Sequence, residues 1–164
     1  MYDKEVNDTV LWDKESDNHV KRTIENYGSL YGTSDKRELA NSIFEIVSKY
    51  TGFGSSDNLV LLDIGCSYGQ LMYFLKQNFK EACLIGIDPG KASIEIASEN
   101  LSDHKTKFYS AFSHKLPLED NSVDIIILAM VLQWIPRKYI IQTFAEIDRV
   151  LKEGGDSSNG RILS

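Results

Sequence analysis

Val60-Leu-Leu-Asp-Ile-Gly-Cys-Ser-Tyr-Gly69 decides the fold. With Leu59, its first half is an apolar run closing on a carboxylate, the pattern of a strand buried on both faces. Its second half is a turn of small residues. Tyr68, Leu71, Met72, Leu75 and Phe79 then recur at i, i+3, i+4, i+7 and i+11, one face of an amphipathic helix. Strand, tight turn and helix in immediate succession make the opening of a βα unit.

The same alternation continues downstream. Cys83 to Ile87 reads as a second buried strand ending at Asp88, Lys91 to Leu101 as a crossover helix, and Lys107 to Tyr109 as part of a short third strand. Val123 to Leu128 is a fourth and the most apolar. Pro136 then stands where a first-turn proline belongs, and Ile140, Ile141, Phe144, Ile147 and Leu151 are assigned to the inner face of the next helix, closed by Gly154-Gly155. Arg161-Ile-Leu163 begins a fifth strand. Alternating strands and helices predict right-handed βαβ units: an α/β, Rossmann-like parallel sheet with helices on both faces, binding its ligand at the carboxyl ends of the strands.

Upstream the pattern is different. The first eighteen residues hold six acids (Asp3, Glu5, Asp8, Asp13, Glu15, Asp17) against two lysines, and read as a loose acidic arm anchored by Val10-Leu-Trp12. A short helix is placed at His19 to Tyr31. A clearer one begins at Ser34 or Asp35, with Leu39, Ile43, Ile46, Val47 and Tyr50 at helical spacing. The expected organisation is therefore an arm and lid helix over residues 1–33, then a ligand-binding domain over 34–164.

The 164 residues suit one domain with a proper core, at 42% hydrophobic content. A formal charge of -6 argues against a protein that grips nucleic acid through its overall field. Cys66 and Cys83 form no CxxC pair, so neither a disulfide framework nor a metal is expected. No apolar run reaches membrane-spanning length, and charges occupy the place of a signal peptide's apolar region. A soluble, cytoplasmic protein without nucleic-acid or membrane partners is the expectation.

The turn narrows the function. A dinucleotide fingerprint, G-x-G-x-x-G, would need glycines at 65, 67 and 70, where this chain has Gly65, Ser67 and Gln70. The last glycine falls instead at Gly69. That spacing resembles motif I of the class I S-adenosylmethionine-dependent methyltransferases, Asp/Glu-x-Gly-x-Gly-x-Gly, with Ser67 for the middle glycine. Ile85-Gly-Ile-Asp-Pro89, about 25 residues on, resembles the family's second motif. Leu116-Pro-Leu-Glu-Asp-Asn-Ser-Val-Asp-Ile-Ile-Ile127 is similar to its approach to strand four, and Glu146-Ile-Asp-Arg-Val-Leu-Lys-Glu-Gly-Gly155 to its helix ending in Arg-Val-Leu-Lys-Pro-Gly-Gly. The resemblance covers roughly residues 59–155.

By that resemblance Asp63, Gly65, Cys66, Ser67 and Gly69 face the amino-acid part of S-adenosylmethionine, and its product S-adenosylhomocysteine. Asp88 and Pro89 would take the ribose, and Ala111, Phe112 and Ser113 the adenine, with Ala129 after strand four completing the cofactor set. Asp63 is expected to orient the loop by accepting backbone N–H bonds, and Cys66 to be a small buried side chain. One departure stands out: the family's acid for the adenine amine, four positions before Leu116-Pro117, is here Phe112, so stacking and backbone groups would replace it.

The acceptor side falls to the N-terminal helices and to Ala129-Met-Val-Leu-Gln-Trp-Ile135. Leu132-Gln-Trp134 resembles methyltransferases acting on trans-aconitate or on the malonyl group of biotin synthesis, which implies a small-molecule carboxylate or hydroxyl acceptor. Tyr27, Tyr31, Gln133 and Trp134 are the candidate acceptor contacts. His114 and Tyr27 are the candidate catalytic groups, set against surface histidine and lid packing as the plainer readings.

Two other functions compete. Gly65-Cys-Ser-Tyr-Gly69 also matches the nucleophile elbow G-x-S-x-G of serine hydrolases, with Ser67 as nucleophile, but that elbow follows several strands and everything before Leu59 reads as loop and helix. A non-catalytic cofactor-binding or scaffold domain is the other. The family's sheet has seven strands and this chain reaches the fifth, which predicts an exposed edge covered by an oligomeric partner or by further chain.

Overall fold

The computed structural model describes residues 18–25, 29–32, 34–52, 58–153 and 161–163. Its centre is a five-stranded, wholly parallel sheet in the order β3-β2-β1-β4-β5, with β1 at Val60–Ile64, β2 at Cys83–Asp88, β3 at Thr106–Ser110, β4 at Ile125–Ile127 and β5 at Arg161–Leu163. Residues 18–25 are helical (α1). The other helices are α2 (Ser34–Thr51), α3 (Gln70–Asn78), α4 (Lys91–Leu101) and α5 (Arg137–Val150), with a 3-10 turn at Leu132–Trp134. Residues 29–31 are a turn, so the lid helix expected to reach Tyr31 ends before residue 29.

The first strand in sequence is the middle of the sheet. Register pairs Asp63 with Gly86 of β2 and with Ile127 of β4, and Asp88 with Ser110 of β3. Strand order switches between β1 and β4, with β2 and β3 on one side and β4 and β5 on the other, and it is at the carboxyl ends beside such a switch point that parallel sheets of this kind bind ligands. Both faces of β1 are sealed. Leu61 packs into a core of α2 and α3 side chains that includes Val47, Phe74 and Phe79, whereas Leu62 and Ile64 pack into a second core with Ile126, Ile147 and Val150. That two-sided burial is why β1, β2 and β4 are apolar runs and not alternating ones.

The helix face read from Tyr68 to Phe79 is buried throughout. The face read for α5 is not. Ile147 is buried, but Ile141 is 84% and Phe144 44% exposed, and the inward positions are Thr143, Ile147 and Val150. Apolar character misassigned that face because its isoleucines and phenylalanine lie on two sides of the helix, and a buried threonine takes the central inward place.

Asp124 was read only as part of an apolar strand. It is buried in front of β4, where its Oδ2 accepts the Val60 amide at 2.9 Å and both oxygens accept from Lys152 Nζ at 2.8 Å. It ties the entrance of β1 to the exit of α5.

Candidate cofactor and acceptor site

The turn after β1 is held by the tip of β2. Gly65 and Cys66 donate their amides to the Ile87 carbonyl at 2.7 and 3.1 Å, and Ser67 donates its amide to Asp88 Oδ2 at 3.0 Å. Gly90 donates to Asp88 Oδ1 at 2.8 Å. The loop-orienting carboxylate is thus Asp88, with the Ile87 carbonyl, and not Asp63 as expected from sequence. Strand pairing explains this: β2 reaches one residue beyond the end of β1, which puts its last carboxylate under the turn.

Three turn residues have left-handed backbones: Gly65 at φ 81°, Ser67 at 50° and Gly69 at 85°. The glycines are demanded by protein packing as well as by ligand approach. A β-carbon on Gly65 would lie 2.5 Å from Val131 Cγ2, and one on Gly69 would lie 2.7 Å from Leu101 Cδ1. Ser67 holds its conformation with a side chain attached, a strain that two fixed amides and the Asp88 bond sustain.

Burial organises the electrostatics here. Asp63 is buried, and desolvation pushes its carboxyl up to about 7, opposed by Lys36 and reinforced by Asp88. Burial also raises Asp88, against the two amide bonds that favour its charged form. Cys66 is buried, with its sulfur beside Gly86, and desolvation followed by Asp63 and Asp88 raises the thiol well above its ordinary range. A thiol of that kind is an inert packing group.

The remaining candidates distribute around this turn. Ala111 donates its amide to the Asp88 carbonyl at 3.1 Å, so the turn 111–113 begins directly beside the second motif. Phe112, Ser113 and His114 are half-buried, and the His114 ring lies stacked 3.9 Å from Tyr139 and 5.3 Å from Phe112. Sequence reading missed Tyr139 and Thr143, since nothing in α5 marked them as facing this turn. Ala129 is half-buried at the end of β4, Val131 covers Gly65, and Gln133 and Trp134 are exposed on the 3-10 turn, Trp134 at 50%. Tyr27 lies outside the described residues.

The N-terminal elements close on the same turn. Tyr68 is fully buried and its hydroxyl lies 2.7 Å from Thr23 Oγ1 of α1, with the His19 ring 5.3 Å away. Gln70 Nε2 donates to the Leu30 carbonyl at 2.9 Å, and Tyr31 stacks on Tyr73 at 4.5 Å with its hydroxyl buried and without a partner among the described residues. Tyr31 therefore packs against α3.

The profile of the methyltransferase-domain family matches residues 61–155, from the second residue of β1 to just beyond α5. The chain belongs to this family. It is a class I S-adenosylmethionine-dependent methyltransferase domain, and S-adenosylmethionine is the cofactor of that class. The domain is 33% identical over 97 residues to a malonyl-[acyl-carrier protein] O-methyltransferase of Marinomonas sp., covering 58% of this chain and 35% of that protein. It is 29% identical over 129 residues to a thiol S-methyltransferase of Mus musculus, covering 74% of this chain and 48% of that one. The solved structure of a proposed S-adenosyl-L-methionine-dependent methyltransferase from Methanococcus maripaludis shares the fold, with a TM-score of 0.67 at 22% identity over 94% of this chain and 64% of that chain. The domain thus spans a third to about half of the length of these curated relatives. Membership in this family dismisses the hydrolase elbow, and the described residues ahead of β1 are helical or turn, without the earlier strands an elbow requires.

The residues present suit the cofactor. Asp88 stands at the tip of β2 beside the strand-order reversal, and each of its oxygens accepts one amide, leaving a lone pair apiece for a ribose diol. No helix among the described residues is long and apolar enough to cross a membrane.

Proposed function

We propose that the domain binds S-adenosylmethionine across the carboxyl ends of β1 and β2 and transfers its methyl group to a small-molecule acceptor bearing a carboxylate or hydroxyl. The observation carrying this reading is the Ser67–Asp88 bond: one carboxylate fixes the turn after β1 and still offers acceptor capacity at the ribose position. In this reading Gly65 to Gly69 flank the cofactor's amino-acid part, Asp88 and Pro89 its ribose, and Ala111, Phe112 and Ser113 its adenine. Asp63 lies buried beneath the turn, at the end of β1.

When bound, the cofactor supplies an activated methyl group on a sulfonium, so the protein's own task is alignment and exclusion of water. The loop after β4 suits that task. Val131 rests on Gly65, which places its neighbours Ala129 and Met130 at the mouth of the crevice, and Met130 is held at φ 58° with 70% of its surface exposed. Gln133 and Trp134 lie one turn further on as acceptor contacts. Residues 18–25 and 29–32 serve as a cap over the turn through Thr23, Leu30 and Tyr31, and Tyr27, outside the described residues, is the further acceptor candidate of the same stretch of sequence. His114, enclosed by aromatic rings, serves better as a spacer at the adenine side than as a base.

Isothermal calorimetry with S-adenosylmethionine and S-adenosylhomocysteine tests the reading. Micromolar binding by the wild type, reduced at least about tenfold in Asp88→Ala, is the expected result. Absence of binding to both compounds would overturn it.

A further inference from the structure

Residues 111–124, between β3 and β4, contain no helix, although they carry the turn assigned to the adenine. A stretch of that length at a ligand site has to be held by something outside itself. The support comes from one stripe of α5. Tyr139, Thr143, Glu146 and Arg149 follow at i, i+4, i+7 and i+10, and so lie along one side of the helix over about 15 Å.

Each member contacts a residue of the loop between His114 and Leu118 or its neighbour Ser113. Tyr139 stacks on His114 with ring centroids 3.9 Å apart and planes 6° from parallel, and His114 in turn neighbours Phe112 at 5.3 Å. Thr143, fully buried, places its hydroxyl 2.9 Å from Ser113 Oγ. Glu146 Oε2 accepts the Leu116 amide at 2.7 Å, while Arg149 donates to the Leu116 carbonyl at 3.1 Å and the Leu118 carbonyl at 2.8 Å. Glu146 and Arg149 are themselves joined through two parallel bonds, 2.7 and 2.8 Å, and Arg149 also reaches Asp120 at 2.7 Å. Paired donors of this kind hold geometry as well as energy.

We propose that this α5 stripe is the positioning element of the adenine-side turn, and that Thr143 and Tyr139 set cofactor affinity through Ser113 and the His114–Phe112 stack without touching the cofactor. The proposal rests on the assignment of residues 111–113 to the adenine. The far end of the loop, where Asn121, Ser122 and Val123 donate to the carbonyls of Arg149 and Val150, is joined backbone to backbone. The near end has backbone bonds from Ala111 to the Asp88 carbonyl and from Lys115 to the Phe112 carbonyl, and its attachment to α5 runs through the side chains of Tyr139, Thr143 and Glu146. Substitution there loosens the adenine turn while leaving the rest of the loop in place.

The experiment compares wild type, Phe112→Ala, Thr143→Val, Thr143→Ser and Tyr139→Leu by calorimetric titration with S-adenosylhomocysteine and with adenosine, well below the Tm of each. Thr143→Val and Tyr139→Leu are expected to raise the Kd for both ligands about three- to tenfold, the scale of one buried contact, with Thr143→Ser within about twofold of wild type. Tyr139 is only half-buried, so that variant decides the matter should Thr143→Val fail to fold. Wild-type affinity in both Thr143→Val and Tyr139→Leu, with Phe112→Ala weakened, refutes the positioning role alone. Wild-type affinity in Phe112→Ala as well refutes the adenine assignment beneath it. An equal loss in Thr143→Ser and Thr143→Val refutes the hydroxyl's part, since then volume and not the Ser113 bond matters.

Discussion

Val131 lies against Gly65 so closely that a β-carbon on the glycine would come within 2.5 Å of Val131 Cγ2 and 2.8 Å of its Cβ. The loop after β4 is therefore seated on the turn after β1. Gly65→Ala adds this clash to the cost of a side chain at φ 81°. The left-handed backbone costs roughly 1–2 kcal/mol and the overlap a further ~1–3 kcal/mol. Pairing Gly65→Ala with Val131→Ala removes the Cγ2 overlap but keeps the 2.8 Å approach of the residue-131 Cβ, so it recovers only part of the steric cost. Denaturant unfolding of the two single variants and the double variant checks this, and strict additivity would contradict direct packing.

Ser67 occupies a left-handed conformation, φ 50°, at the position where the family pattern has glycine. Ser67→Gly relieves that strain but adds backbone entropy to the unfolded chain, so a net stabilisation of at most about 1 kcal/mol is expected. S-adenosylhomocysteine affinity should be unchanged, because the Ser67 amide that meets Asp88 is retained. A large loss of affinity would show that the hydroxyl, and not the amide, matters.

Asp63 carries the pH dependence. Its carboxyl, ordinarily near 3.8, is raised to about 7 by burial, so the folded protein keeps the proton longer than the unfolded chain does. Stability then falls as pH rises between about 4 and 7, by up to ~1.4 kcal/mol per unit, and levels above that window. Asp63→Asn removes most of this slope. Asp88, also raised, leaves a smaller one of the same sign. Urea unfolding at pH 5 and pH 8 measures it: the variant should gain on wild type at pH 8 by on the order of 2 kcal/mol, and parallel curves would refute the assignment.

Tyr68 and Thr23 form the latch between α1 and the turn after β1, with oxygens 2.7 Å apart and both side chains buried. Tyr68→Phe orphans the Thr23 hydroxyl and should cost about 1–2 kcal/mol. The loss should be local. Amide exchange is expected to accelerate in residues 18–25 and to stay unchanged in β1 and β2, whereas uniform acceleration would mean that Tyr68 supports the core and not the lid.

Phe108 shows how far the pattern of residue types carries. It sits in β3 as read, but only the three-dimensional arrangement shows why its neighbour Gly86 lacks a side chain: a β-carbon there would meet Phe108 Cδ1 at 2.6 Å and Cys66 Sγ at 2.8 Å. Strand identity follows from local composition; the reason for a given glycine follows from what crosses it in space.

The sequence by itself determined the βα alternation, the parallel sheet, the tight turn at Gly65 to Gly69 and the carboxylate Asp88 at the tip of the second strand. Those features depend on period, spacing and short-range order, which a linear chain displays. Tertiary structure alone decided that Asp88 and not Asp63 holds the turn, that Thr143 and not Ile141 or Phe144 faces inward on α5, and that Val131 covers Gly65. Each of these depends on groups distant in sequence meeting in space, through strand register, helix rotation or loop approach. None of those leaves a periodic trace in the chain.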